Sequence, residues 1–174
     1  PMIILTPLGP LDLGSGRTAK STSAGTFHTC AVLDDGSVKC WGFNNQGQLG
    51  LGDTTYRSTP VAVDLGSGRT AKSVSAGGSH TCAVLDDDTV KCWGDNEYGQ
   101  LGVGDTTDRS TPVAVDLGSG RTAKSVSAGG KGYGSSHTCA VLDNDTIKCW
   151  GRNNQGQLGL GDNTDRLVPV VINL

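Results

Sequence analysis

The amino-acid sequence predicts an all-β chain built of three repeated units, each of four short antiparallel strands. Three observations carry that reading. The stretch HTCAVLDDGSVKCWGFNNQGQLGLGD, at His28–Asp53, returns in near-identical form at His80–Asp105 and His137–Asp162. Glycine numbers 27 in 174 residues, and glycine is costly inside helices but useful where φ must be positive. No segment shows the roughly 3.6-residue apolar period of a helix.

The chain opens on an apolar segment, PMIILTPLGP, and then enters a sequence that recurs. TPLGPLDLGSGRTAKS from Thr6 compares with TPVAVDLGSGRTAKS at Thr59–Ser73 and Thr111–Ser125, and the C-terminal RLVPVVINL stops where another LGSGRTAKS would begin. The expected organisation is an N-terminal strand segment, 1–10, followed by repeats at 11–63, 64–115 and 116–174. His28 and His80 are 52 residues apart; His80 and His137 are 57 apart, because KGYGS is inserted at 131–135. A period slightly above 50 points to a propeller or a similar array, in which no unit buries its own faces.

Each unit reads as four strands, approximately TPVAVDL, AKSVSAG, HTCAVLD and TVKCWG, separated by Gly, Asp and Ser clusters. LGSGRT is a turn. NNQGQLGLGDTTYRS is too rich in glycine for a strand, and Leu49 and Leu51 suggest a compact loop tucked back onto the strands. The hairpin can be argued residue by residue. If Cys30 faces Cys40, then Val32 faces Val38 and Leu33 faces Ser37, which leaves Asp34-Asp35-Gly36 as a three-residue loop with Gly36 at the left-handed position. Asp88 and Asp145 stand there in the other units, and Asp tolerates that conformation better than most residues. In this register the Cys pair is non-hydrogen-bonded, with Cα atoms roughly 4.5 Å apart, inside the range of a disulfide. The expected bridges are Cys30–Cys40, Cys82–Cys92 and Cys139–Cys149, each contributing roughly 2–3 kcal/mol.

Composition narrows the function. The formal net charge is −3, with Lys and Arg scattered singly, so the basic stripe of a nucleic-acid binder is absent. No apolar run approaches the roughly 20 residues of a membrane helix. The chain opens at Pro1 without a preceding Met, as a processed start or a segment of a longer protein would. A zinc site would need Cys and His from two units, so the regular Cys pairs favour disulfides and an oxidising, extracellular setting.

At SAG-x-x-His-Thr (Ser23–Thr29), the Trp-Gly pairs of Trp41, Trp93 and Trp150, the GQLG loops at Gly47, Gly99 and Gly156, and the downstream Pro of TPVAV, the chain resembles the regulator of chromosome condensation repeat family. The resemblance covers almost everything from Leu11 onward. It implies a β-propeller of four-stranded blades, seven in the usual member. Three units depart from that number. Pro-containing strands are expected at Pro7, Pro60, Pro112 and Pro169, against three sets of the others, so one strand is left over. The expected object is an incomplete propeller, completed by other chains or by a longer parent chain, because an unpaired strand edge invites a partner.

Most candidate sites have a bland reading that outweighs the sharp one. His28, His80 and His137 could be metal ligands or general bases, but functional residues rarely recur in every unit of an array. The preferred reading has the imidazole bonding to backbone in the turn and locking blade to blade. Asp34-Asp35, Asp86-Asp87-Asp88 and Asp143-Asn144-Asp145 could offer oxygens to calcium, yet they lack calcium-loop spacing and already serve as turns. GQLGLG lacks the strand–helix context and the Lys of a phosphate loop. Trp41, Trp93 and Trp150 are expected to pack between blades with the N–H on a carbonyl, sugar stacking being the alternative. The insertion breaks the repetition, and Lys131 and Tyr133 in it form a candidate binding loop. Asn144-Asp-Thr146 is a glycosylation sequon at a hairpin tip.

These residues lead to a non-enzymatic, extracellular structural or interaction module, without cofactor or metal. It is expected to form a homo-oligomer or filament through its terminal strands, as a ring or fibre. The alternative is a module that recognises a protein or glycan on its loop face. Nucleotide exchange of the kind the resemblance suggests is disfavoured by the paired cysteines, the acidic balance and the small number of units.

Overall fold

A computed structural model describes residues 9–131 and 135–173. The described residues form twelve strands and no helix. They build three antiparallel sheets. The first holds β1 (Ala19–Ala24), β2 (His28–Leu33), β3 (Val38–Gly42) and β4 (Arg57–Ala62) in that order. The second holds β5 (Ala71–Ala76), β6 (His80–Leu85), β7 (Val90–Gly94) and β8 (Arg109–Ala114), and the third β9 (Ala123–Gly129), β10 (His137–Leu142), β11 (Ile147–Gly151) and β12 (Arg166–Ile172). Each sheet is one open, propeller-like blade. β5 touches both β1 and β9, so the first strands adjoin and β4, β8 and β12 lie at the far edges.

The hairpin register agrees with the sequence argument. Cys30 pairs with Cys40 and Val32 with Val38, and Leu33 N–H donates to Ser37 O at 2.9 Å. Gly36, Asp88 and Asp145 occupy the left-handed region at φ of 80°, 65° and 66°. Disulfides join Cys30–Cys40, Cys82–Cys92 and Cys139–Cys149, each with Cα atoms 4.1 Å apart. Arg17, held by the LGSGRT turn, pairs with Asp34 and Asp35, and Arg69 does the same with Asp86 and Asp87. The acidic tips are thus engaged as turns and ion pairs.

The glycine-rich loop is compact because one side chain organises it. Asn44 Nδ2 donates to Asp53 O and Thr55 O, while Asn44 Oδ1 accepts from Leu49 N–H. That clasp drives Leu49, fully buried, into the space between sheets. Asn96 and Asn153 repeat the arrangement with Leu101 and Leu158.

The cores lie between sheets and not within them. One cluster joins Cys30, Val32, Val38 and Leu49 of the first blade to Ala83, Leu85 and Trp93 of the second. Its counterpart joins Cys82, Val84 and Leu101 to Ala140, Leu142 and Trp150. Apolar surface removed from water contributes roughly 25 cal/mol per Å², and here that gain accrues only when two blades meet. The surplus strand expected around Pro7 falls, apart from Gly9 and Pro10, outside the described residues.

Candidate functional site

The chemistry-bearing residues of the repeat converge on the junction between blades. His28 Nε2 lies 2.8 Å from Thr81 Oγ1 of the next blade. Thr81 Oγ1 donates to Gln48 O at 2.8 Å, and Trp93 Nε1–H donates to the same carbonyl at 2.9 Å. A hydroxyl has one proton, and Thr81 gives it to Gln48, so His28 must be the donor in their bond. The imidazole therefore carries a proton on Nε2. The second junction repeats each bond: His80 to Thr138, Thr138 to Gln100 O, Trp150 to Gln100 O.

Burial fixes the charge state. Desolvation lowers the His28 pKa to about 4. His80, enclosed on every side and near the other two imidazoles, falls to about 3. His137 is only half-buried; desolvation lowers its pKa, and a backbone hydrogen bond at Ser135 opposes the shift. These values keep the rings neutral hydrogen-bond donors at neutral pH. Nδ1 of His28 and His80 finds no hydrogen-bond partner; a Cβ on Gly25 or Gly77 would stand 2.7 or 2.8 Å from that atom.

The sequence placed the histidines as blade-to-blade locks bonded to backbone in the turn. The structure corrects the partner at the two junctions: a threonine hydroxyl of the next blade receives the N–H, and the backbone carbonyl receives the hydroxyl. Trp93 and Trp150 pack between blades with their N–H on a carbonyl, as expected. Trp41 stands at the same position on a blade face with no neighbour among the described residues, and is only half-buried.

A second surface was missed from sequence. Phe27 and Phe43 rings lie 5.9 Å apart and Phe43 and Tyr56 rings 4.9 Å apart, with Phe27 and Tyr56 each 61% exposed. These are the positions of Ser79, Asp95 and Asp108 in the second repeat and Ser136, Arg152 and Asp165 in the third. Asp108 and Asp165 accept the N–H of Asn96 and Asn153; Tyr56 replaces that acceptor with a ring. Beyond Phe43, the loop reaches Gln46, which lines a cavity of about 610 Å³ with Asp95, Glu97, Thr107 and Asp108. Burial raises the pKa of Asp95. The readable signal was the divergence itself, since His28, Gly42, Asn44, Thr55 and Arg57 beside these positions are identical in all repeats.

The remaining candidates sit apart from the junctions. Lys131 is exposed, and its N–H donates to Ser135 Oγ at the base of the insertion. Tyr133 lies outside the described residues. Asn144 is exposed at the tip of the β10–β11 hairpin, its Oδ1 accepting from Thr146 Oγ1 at 2.7 Å. No cluster of three or more His, Cys, Asp or Glu with metal-binding geometry occurs among the described residues, and these contain no helix long and apolar enough to cross a membrane.

Comparison with known proteins follows the same repeats. The model of the regulator of chromosome condensation (RCC1) repeat matches residues 35–84, 87–141 and 148–174. The chain is 38% identical over 166 residues to the ultraviolet-B receptor UVR8 of Arabidopsis thaliana, covering 95% of this chain and 36% of that protein. It is 37% identical over 149 residues to the X-linked retinitis pigmentosa GTPase regulator of Canis lupus familiaris, covering 84% of this chain and 14% of that protein. Among solved structures, yeast RCC1 (Prp20) bound to Kap60 superposes with a TM-score of 0.78 at 24% identity, over 90% of this chain and 37% of that one. Human WBSCR16 gives 0.60 at 21% identity, over 90% and 53%. The chain spans little more than a third, or less, of the curated relatives it matches. With the family model matching most of its length and the blades superposing on a solved propeller, the chain belongs to the RCC1 repeat family.

Proposed function

We propose that this chain is a non-enzymatic, extracellular interaction module that self-associates by strand exchange through its terminal strands into a ring or fibre. One observation carries the reading. Among the described residues, the second blade is packed on both sides, whereas the first and third each have one neighbour only. Fused apolar junctions are the source of stability in such arrays, so a blade face without a neighbour among the described residues is surface that a further blade, of the same chain or of another, would bury. Three disulfides and no free cysteine among the described residues support an oxidising compartment. Donation of the 1–10 segment to another chain is the route by which strands would be exchanged.

Sedimentation of the oxidised chain tests the reading, and a sample that stays at 17.8 kDa at every concentration would end it. Deleting residues 1–8 isolates the strand route: association that survives the deletion removes strand exchange. Intact mass without reduction tests the compartment, since six free thiols would contradict the extracellular placement.

A second reading has its own observation. Phe27, Phe43 and Tyr56 gather where the repeats diverge, and exposed aromatic clusters beside a polar cavity suit a protein or glycan ligand. Glycan and peptide arrays probed with the wild type and with Tyr56→Asp would decide it; binding that ignores the substitution counts against this face.

A further inference from the structure

We propose that the cavity beside the first junction takes the guanidinium of an arginine side chain presented by a partner protein, with Asp95, Glu97 and Asp108 as its acceptors. This deepens the second reading above, recognition of a protein ligand, and rests on it. The cavity lies between the loops of the first and second blades, with Gln46 on one side and Asp95, Glu97, Thr106, Thr107 and Asp108 on the other. Its walls belong to a junction that is closed from both sides.

Asp95 is the anchor. It is 1% exposed. Its Oδ1 accepts the Glu97 N–H at 3.1 Å, while Oδ2 finds no hydrogen-bond partner. Burial raises the pKa of this carboxyl, and the like charges of Asp108 and Glu97 push the same way. The approach of Gln100 is the least of the influences on its acidity, and Gln100 Nε2 is itself left unbonded. Among the described residues no Lys or Arg lines the cavity. Arg109, next to Asp108, is committed to Asp105 Oδ2 and Thr107 O. A buried carboxylate with one oxygen unpaired and two more carboxylates beside it is a site short of a cation.

The second junction carries such a cation of its own. Arg152 stands at the position of Asp95, Tyr98 at that of Gln46, Asn154 at that of Glu97, and Asp165 at that of Asp108. There the Arg152 guanidinium lies over the Tyr98 ring, 4.2 Å from its centroid. One junction thus holds a guanidinium and one carboxylate at these positions, and the other holds three carboxylates. A metal ion does not suit the acidic set, which lacks metal-binding geometry. A planar guanidinium does: its five donors can serve Asp95 Oδ2 together with the flanking carboxylates, and about 610 Å³ accommodates it. Glu97, Thr106, Thr107 and Asp108 are exposed, so the mouth is open and the chain that delivers the arginine stays outside.

Peptides centred on one arginine, with varied flanks, test the cavity when titrated into the oxidised chain and followed through the nitrogen-15 amide signal of Glu97. The best of them should bind about tenfold or more tighter than their citrulline versions, which keep the shape and lose the charge. Asp95→Asn should weaken binding by a similar factor. Asp64→Asn, which makes the same change of charge in the LGSGRT turn, should leave it unchanged, and far-ultraviolet circular dichroism confirms the fold of each variant. Equal binding of arginine and citrulline peptides, or binding indifferent to Asp95→Asn, overturns the assignment. Flanks that add nothing over acetyl-arginine amide overturn the protein as its source. If other peptides on the arrays bind independently of Asp95, recognition of a protein ligand stands without this cavity; a chain that binds no peptide at all overturns both.

Discussion

His28 and Thr81 are 53 positions apart in sequence and 2.8 Å apart in space, the imidazole N–H of one blade seated on the hydroxyl of the next. That bond, with the carbonyl of Gln48 behind it, makes the junction polar at one point and apolar around it. Removing either partner strands the other in a dry site. Thr81→Val should therefore cost about 1–3 kcal/mol in urea unfolding, more than a lost surface hydrogen bond, because a buried donor is left unpaired. Thr29→Val, half-exposed at the same repeat position, should cost well under that in the dilute chain.

Acid should loosen the junctions. His28 has its pKa lowered from 6.5 to about 4, so between those values the unfolded chain binds the proton and the folded chain does not. The contribution is complete above the unfolded value and is lost as pH falls through the folded one, worth roughly 3 kcal/mol in all. His80 acts in the same direction. Chemical denaturation at pH 7 and pH 4.5 should show the lower stability at pH 4.5; equal stability would contradict neutral burial.

Gly50→Ala and Gly68→Ala separate backbone strain from crowding. Both residues have positive φ, 75° and 69°. An added Cβ meets Trp93 Nε1 at 2.8 Å in the first case and nothing within 4 Å in the second. The Gly68 variant should lose about 1 kcal/mol, the conformational cost alone. Gly50→Ala should lose at least twice that and change the near-ultraviolet circular dichroism of the tryptophans.

Tyr56→Asp should be neutral or stabilising by up to about 1 kcal/mol, since it restores the acceptor that Asp108 and Asp165 offer to the Asn96 and Asn153 N–H groups. A thermal melt checks this. A marked loss would show that the aromatic cluster is structural.

What was legible in the sequence followed from local rules. The Cys30–Cys40 spacing with Gly36 fixed the register, because a three-residue hairpin loop admits few alternatives. Asn44 closing its loop lies within eleven residues of its partners, and Leu49 and Leu51 announced a tucked segment. The His28 partner was not legible, since hydroxyl and backbone acceptors look alike until the next blade is placed. Phe27 lies in the β1–β2 connection and Phe43 and Tyr56 at the two ends of the β3–β4 connection, and they meet only through the pairing of β2, β3 and β4. Their divergence from the other repeats was visible; their contact was not.

The central claim, that a neutral imidazole locks one blade to the next, is tested most directly by nitrogen-15 NMR of the imidazoles through a pH titration. His28 and His80 should titrate near 4 and 3 and hold their proton on Nε2, the nitrogen that faces Thr81 and Thr138. A His28 that titrates near the ordinary 6.5, or that holds its neutral proton on Nδ1, would contradict the account.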